Sequence, residues 1–207
     1  VFYFVETPFQ DGQAPDVASN TNGGVVIQAV NDVTASGALY FSSAGNSGNL
    51  NDGTSGVWEG NFVDGGPRGA ALPAGSLHNF GGQNFNVLTA SSFVINLYWS
   101  DPLGASSNDY DLFLLSADGT TVIARSTNIQ NGTGDPYEQL SRNQDGGEAP
   151  FPAGSRIVIV KRTGAADRFL HLNTNRGRLS IATAGQTHGH AAAPNAFGCA
   201  GAPAAAG

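Results

Sequence analysis

The chain has 207 residues, a formal net charge of −7 and a pI of about 4.8. The sequence shows no basic patch and no apolar run of membrane-spanning length, so nucleic acid and membranes are disfavoured as partners. Only 12% of the residues are charged while 29 are glycine, which predicts many turns and short strands.

The first segment, residues 1–69, contains the signals for a strand, a helix and a second strand. The apolar run VFYFV opens it, and the polar stretch SNTNGG supplies N-cap residues for a helix over about 23–36. Helical spacing relates five apolar residues: Val25, Val26, Ala29, Val30 and Val33. Gly37 suits the position just after the helix. Because ALYFS follows so closely, we expect that strand to join a parallel sheet.

The middle segment, residues 70–187, has the pattern of short strands separated by turns. Seven stretches are predicted strands: FNVL, FVINLYWS, YDLFLL, TVIA, RIVIVK, RFLHL and RLSIA. Alternation assigns one face to Phe93, Ile95, Leu97 and Trp99, and one face of the next strand to Tyr110, Leu112 and Leu114. Asp109, Asp111 and Phe113 share the opposite face of that strand. The segment therefore predicts a β-sandwich.

The last segment, residues 188–207, contains one further predicted strand, near 197–200. The abrupt start and end of the chain lead us to expect a fragment of a longer protein. The predicted fold class is mainly β, a jelly-roll-like β-sandwich with a small flanking α/β segment whose main helix covers about 23–36.

The stretch SAGNSGN, residues 43–49, directly follows the strand ALYFS. The order helix, strand and SAGNSGN resembles subtilisin-like serine peptidases, and Asn46 matches the oxyanion-hole asparagine of that family. The resemblance implies that Asn46 donates a hydrogen bond to the negative oxygen of a tetrahedral intermediate. The alternative is an ordinary Gly-Asn turn.

The stretch APNAFGCAGAP, residues 193–203, extends the resemblance. It is similar to the family's strand that leads from the oxyanion region toward the catalytic serine. On this basis residues 1–69 and 188–207 form adjacent pieces of one catalytic core, and residues 70–187 are an inserted domain. That domain resembles the prepeptidase C-terminal sandwiches of secreted peptidases, which implies a secreted, bacterial protein and a peptide or protein substrate.

The sequence also departs from the family pattern. The family's catalytic Asp and His would lie upstream and its Ser downstream of this chain, so we expect no peptidase activity from the chain alone. GTSG, residues 53–56, lacks the rest of the serine motif and is predicted to be a loop. HGHAAAPNA has His190 where the serine belongs, and VFYFVETPFQDG lacks the Ser-x-Gly of the substrate-binding strand.

An acidic group is predicted at one end of the sandwich. Asp109 and Asp111 alternate onto one face at a strand start, with Asp101 across the turn and Asn108 beside them. Oxygen ligands converging from a loop suit Ca²⁺, which takes six to eight of them. The alternative is that these acids cap the turn and the strand. His188 and His190 could face the same way on a strand and hold a metal; because no third ligand is close in sequence, the alternative is two exposed loop histidines.

A second function class is a non-catalytic sandwich that recognises carbohydrate or protein. Trp58, Tyr98 and Trp99 are the aromatic residues that could form a binding platform. Alternation instead places Trp99 in the core with Ile95 and Leu97. An aromatic platform on an open sheet face would favour the binding module, whereas an exposed Asn46 at a strand end would favour the peptidase.

Overall fold

The fold is mainly β, as predicted. The structure, a computed structural model, describes residues 25–67, 69, 72–102 and 104–201. Within these residues it contains one α-helix, α1 (Val25–Ala35), which confirms the predicted helix. The strands are β1 Tyr40–Ser43, β2 Val57–Asn61, β3 Asp64–Pro67, β4 Gly75–His78, β5 Asn86–Ala90, β6 Val94–Trp99, β7 Tyr110–Leu115, β8 Val122–Ser126, β9 Tyr137–Ser141, β10 Arg156–Arg162, β11 Phe169–Asn173, β12 Arg178–Leu179 and β13 Ala196–Cys199. The predicted strand VFYFV and the N-cap stretch SNTNGG lie outside the described residues.

The chain divides into two compact units. The first comprises the described parts of 1–46 and 186–207, and the second comprises 47–185. The predicted first boundary is near residue 69. In the structure residues 47–69 belong to the second unit, because β2 pairs along its whole length with β11. The VWEGN stretch that forms β2 was not among the predicted strands.

The first unit is a small α/β element. Strands β1 and β13 pair in parallel, with Tyr40 opposite Ala196 and Ser43 opposite Cys199. This confirms both the predicted parallel strand and the predicted strand in the last segment. Val30 of α1 is buried in a small apolar cluster with Ala193, whereas Ala29 and Val33 are exposed. Of the three residues of the predicted apolar face whose side chains are described, only Val30 therefore packs in this cluster.

The second unit is a β-sandwich of two antiparallel sheets. The smaller sheet has the order β2-β11-β6-β9. In the larger sheet the long strand β10 pairs with β7 on one side, and β7 pairs with β8. On its other side β10 pairs with β5 near one end and with β4 near the other. Strands β12 and β3 extend the sheet beyond β5 and β4.

The core lies between the two sheets, and the predicted alternation accounts for most of it. Ile95, Leu97 and Trp99 of β6 are fully buried, as are Tyr110, Leu112 and Leu114 of β7. Burying an aliphatic or aromatic side chain of this size stabilises the fold by about 1.5–3 kcal/mol. The predicted burial of Phe93 is wrong: it is half-buried, because it lies in a bend before β6 begins at Val94.

Candidate functional site

Asn46 lies in the loop that follows β1, and its side chain is exposed. The loop begins with a backbone hydrogen bond of 2.9 Å from the Ala44 N–H to the Cys199 carbonyl, which extends the pairing of β1 and β13. The Thr187 hydroxyl donates to the Ala44 carbonyl at 3.1 Å. These two hydrogen bonds hold the backbone at Ala44, where the chain enters the loop.

Gly45 turns the backbone directly before Asn46. Its φ is +91°, a left-handed conformation that residues with a Cβ rarely adopt. A Cβ at this position would also lie 3.4 Å from the Gln186 carbonyl oxygen. Parallel strands end at the same edge of a sheet, so the loop leaves Asn46 beyond the carboxyl ends of β1 and β13. An exposed amide there can donate a hydrogen bond to a bound group.

Ser55, in the GTSG stretch, is a structural residue. Its side chain is buried, and its hydroxyl contacts the carbonyls of Val57 and Thr183 at 3.3 and 3.2 Å. The Val57 N–H donates to the same hydroxyl oxygen at 3.1 Å. The stretch lies outside the strands, which confirms the predicted loop.

His190 lies in a 3₁₀ turn and His188 directly before it, so neither belongs to a strand. The turn covers Gly189–Ala192. The ring of His190 contacts Tyr40 edge-on, with centroids 6.4 Å apart. In the part of the chain that the structure describes, no group of three or more His, Cys, Asp or Glu residues could hold a metal ion.

Asp101 is buried and closes the loop that precedes β7. Its carboxylate accepts hydrogen bonds from the Ser107 and Asn108 N–H groups and from the Ser106 hydroxyl. The Nε of Arg168 forms an ion pair with it at 2.6 Å. Burial alone would raise the pKa of Asp101, but the hydrogen bonds from Arg168, Asn108 and Ser106 outweigh it and lower that pKa below its ordinary value.

Asp109 and Asp111 share a different arginine. Arg162 Nη1 donates to Asp111 at 3.0 Å, while its Nε lies 3.9 Å from Asp109. Burial raises the pKa of Asp111 to about 6, Arg162 opposes this, and the charge of Asp109 adds to the rise. The three predicted calcium ligands therefore have two different sets of partners. These contacts favour the alternative in which the acids cap a turn and a strand.

The predicted aromatic residues do not form an open platform. Trp58 and Trp99 belong to the core, and Tyr98 is 2% exposed. Tyr98 stacks on Tyr137 of β9, with ring centroids 4.9 Å apart. The same sheet face carries His171, whose Nδ1 lies 2.6 Å from a Glu59 carboxylate oxygen. Local sequence patterns do not indicate this histidine–carboxylate pair, since its residues are 112 positions apart.

Glu138, also missed from the sequence, is the most unusual acid of the second unit. It is fully buried on β9, and its polar contacts come from neutral groups of Ser126, Asn128 and Gln130. Burial raises its pKa to about 7; these hydrogen bonds oppose the rise and the charge of Asp111 adds to it.

Comparison with known proteins does not place the chain in a family. No family profile matches the sequence, and no curated protein matches it at a significant level. Among the helices of the described residues, none combines the length and the apolar character needed to cross a membrane.

Proposed function

We propose that the chain is part of a secreted subtilisin-like serine endopeptidase, in which Asn46 stabilises the oxyanion of the tetrahedral intermediate. The observation that supports this most is the exposed amide of Asn46 at the carboxyl edge of the parallel pair β1 and β13. A preset amide N–H is worth most when it costs no reorganisation as charge develops. The bonds at Ala44 and the left-handed turn at Gly45 fix the backbone that leads to Asn46, which supports this role.

In this proposal the second unit is an accessory sandwich, inserted in sequence between two pieces of the catalytic core. The nucleophile, the general base and its orienting carboxylate belong to segments outside these 207 residues. Peptide or protein substrates would reach Asn46 only in the longer polypeptide. The rival hypothesis, a carbohydrate-binding or protein-binding module, loses its main support because Trp58, Tyr98 and Trp99 are buried.

Labelling with a serine-directed phosphonate tests the proposal. The polypeptide encoded by the complete gene should be labelled on a serine outside this chain and should cleave peptides. The isolated 207-residue chain should do neither, since Ser55 is buried and hydrogen-bonded. Stoichiometric labelling of any serine within the chain would contradict this assignment of the nucleophile, and a complete gene product without activity or labelling would contradict the peptidase proposal.

A further inference from the structure

The imidazole of His78, the last residue of β4, is fully buried in the second unit, and the proposed peptidase chemistry does not use it. Three aromatic rings pack against it: the ring centroids of Trp58 and Phe80 each lie 4.6 Å away, and that of Phe62 lies 5.5 Å away. Among the described residues, Nε2 of this imidazole has no hydrogen-bond partner. An ionisable ring is an unusual member of an apolar cluster of this kind.

The other ring nitrogen of His78, Nδ1, holds the short connection from β2 to β3, which we call the β2–β3 corner (residues 62–64). The Val63 N–H donates to Nδ1 at 3.1 Å, and the Asn79 N–H donates to the Val63 carbonyl at 2.8 Å. Nδ1 can accept this hydrogen bond only while it carries no proton, so the neutral imidazole has its hydrogen on Nε2. The contact with Val63 therefore requires a neutral His78.

A second proton on this imidazole would oppose the contact in two ways. It would make Nδ1 a donor that faces the Val63 N–H, which is also a donor. It would also place a positive charge in an apolar site, where burial lowers the pKa of His78 to about 4. Aromatic rings attract cations, but Lys161 Nζ already lies 4.6 Å from the ring centroid of Phe62 and would repel another positive charge.

The titratable groups around this aromatic cluster are engaged with other partners. They are Asp64 of β3, directly opposite His78 in register, Lys161 of β10 and Tyr110 of β7, whose ring contacts Phe62. Their hydrogen-bond or ion-pair partners are, in the same order, the Ser76 hydroxyl, the Asp167 carboxylate and the Ala166 carbonyl. In the part of the chain that the structure describes, no carboxylate pairs with the His78 imidazole to compensate a charge on it.

We propose that His78 is a pH-sensitive contact: when Nδ1 takes up a proton from solvent, its hydrogen bond with Val63 breaks and the β2–β3 corner opens. The opening exposes the aromatic cluster of Trp58, Phe62 and Phe80 to water. The β2–β3 corner is thus closed at neutral pH and opens in acid. The inference concerns the second unit alone and does not depend on the proposed peptidase function.

Amide hydrogen exchange of the 207-residue chain tests this inference, with the Val63 N–H as the reporter. Its protection factor, which is corrected for the intrinsic exchange rate at each pH, should fall about fiftyfold between about pH 7.5 and 4.5. This size follows from a pKa of His78 of about 6.5 when the corner is open and about 4 when it is closed. The N–H of Leu97, in the central strand β6, should lose much less protection, because the opening is local.

Two variants separate His78 from the other groups that titrate in this range. His78→Asn keeps an acceptor, Oδ1, for the Val63 N–H but does not titrate, so its Val63 protection should not depend on pH. His190→Asn is the matched control: His190 is half-buried in the first unit, so this change should leave the fall in protection intact. An equal fall in His78→Asn and the wild type would overturn the inference, as would an equal fall at Val63 and Leu97 or no fall at all.

A measurement on the wild-type chain keeps the test independent of how His78→Asn folds. The imidazole ¹⁵N shifts should show an unprotonated Nδ1 in the neutral ring and a titration midpoint below about pH 5.5. The Val63 amide shift should change with the same midpoint. A neutral ring with its proton on Nδ1, an ordinary midpoint, or a Val63 amide that is indifferent to the titration would each overturn the inference.

Discussion

Arg168, at the start of β11, forms an ion pair with the buried carboxylate of Asp101, Nε to Oδ1 at 2.6 Å. The two residues are 67 positions apart in sequence, and the bond joins the segment after β6 to the segment before β11, which is the neighbour of β6 in the smaller sheet. The same carboxylate accepts the N–H groups of Ser107 and Asn108. One buried acid therefore holds the β6–β7 loop together and joins it to the segment before β11.

Arg168→Met should destabilise the chain by about 2–4 kcal/mol, because it leaves Asp101 buried without its cation. Arg142→Met is the control: its contact with Glu148 is long and exposed, and its guanidinium lies 5.0 Å from the Phe151 ring centroid, so it should cost less than about 1 kcal/mol. Chemical denaturation of both variants measures the difference. The lowered pKa of Asp101 means that its stabilisation is present above the ordinary carboxyl pKa and is lost as the pH falls below it. Equal stability of the two variants would show that this ion pair contributes little.

Glu138→Gln should change how stability depends on pH. The pKa of Glu138 is raised to about 7, so the acid favours folding when it is protonated and this contribution is lost as the pH rises through about 7. The wild-type chain should lose about 1–3 kcal/mol from this group between pH 5 and 8, and the variant should not.

The measurement is the free energy of unfolding at several pH values. Glu148→Gln, at an exposed acid, is the control and should keep the wild-type slope. The same slope in Glu138→Gln as in the wild type would contradict the raised pKa. Asp111, with a pKa raised to about 6, contributes in the same direction and remains in both variants.

Calcium should not shift the melting temperature of the 207-residue chain. The predicted ligands Asp101 and Asp111 are bound to two different arginines, so a cation would have to displace existing ion pairs. Thermal melts with about 1 mM Ca²⁺ and with EDTA should therefore coincide, since only a ligand that binds the folded state stabilises it. A rise in the melting temperature that Asp111→Asn abolishes would restore the calcium hypothesis.

The sequence predicts those strands in which large apolar side chains occupy every second position. In β6 and β7, large apolar residues occupy alternate positions, and Leu97 and Leu112 accordingly point into the core. Strand β9 was missed because its residues YEQLS are mostly polar, although Tyr137 and Gln139 alternate with Glu138 and Leu140. An edge strand needs few apolar residues, so this weak alternation was its only signal.

Contacts between residues that are far apart along the chain could not be predicted from the sequence. No feature of the sequence near Asp101 indicates that Arg168 lies against its carboxylate. Without that ion pair in view, Asp101, Asp109 and Asp111 together have the pattern of calcium ligands. The pair of half-buried Glu59 and buried His171 depends on the pairing of β2 with β11, which local patterns do not specify. The exposure of Asn46, in contrast, follows from local chemistry, since a glycine turn directly after a short strand leaves the next side chain outside the sheet.

The longer polypeptide that the peptidase proposal requires offers the most direct test of the role proposed for Asn46. Asn46→Ala should lower kcat about a hundredfold or more with little change in KM, because the lost hydrogen bond forms in the transition state. Asn49→Ala, three residues further along the same polar stretch, should leave kcat unchanged, since the Asn49 side chain serves a local bond to Asn51. An unchanged kcat in Asn46→Ala, or an equal loss in both variants, would contradict the assignment and leave the loop as an ordinary turn.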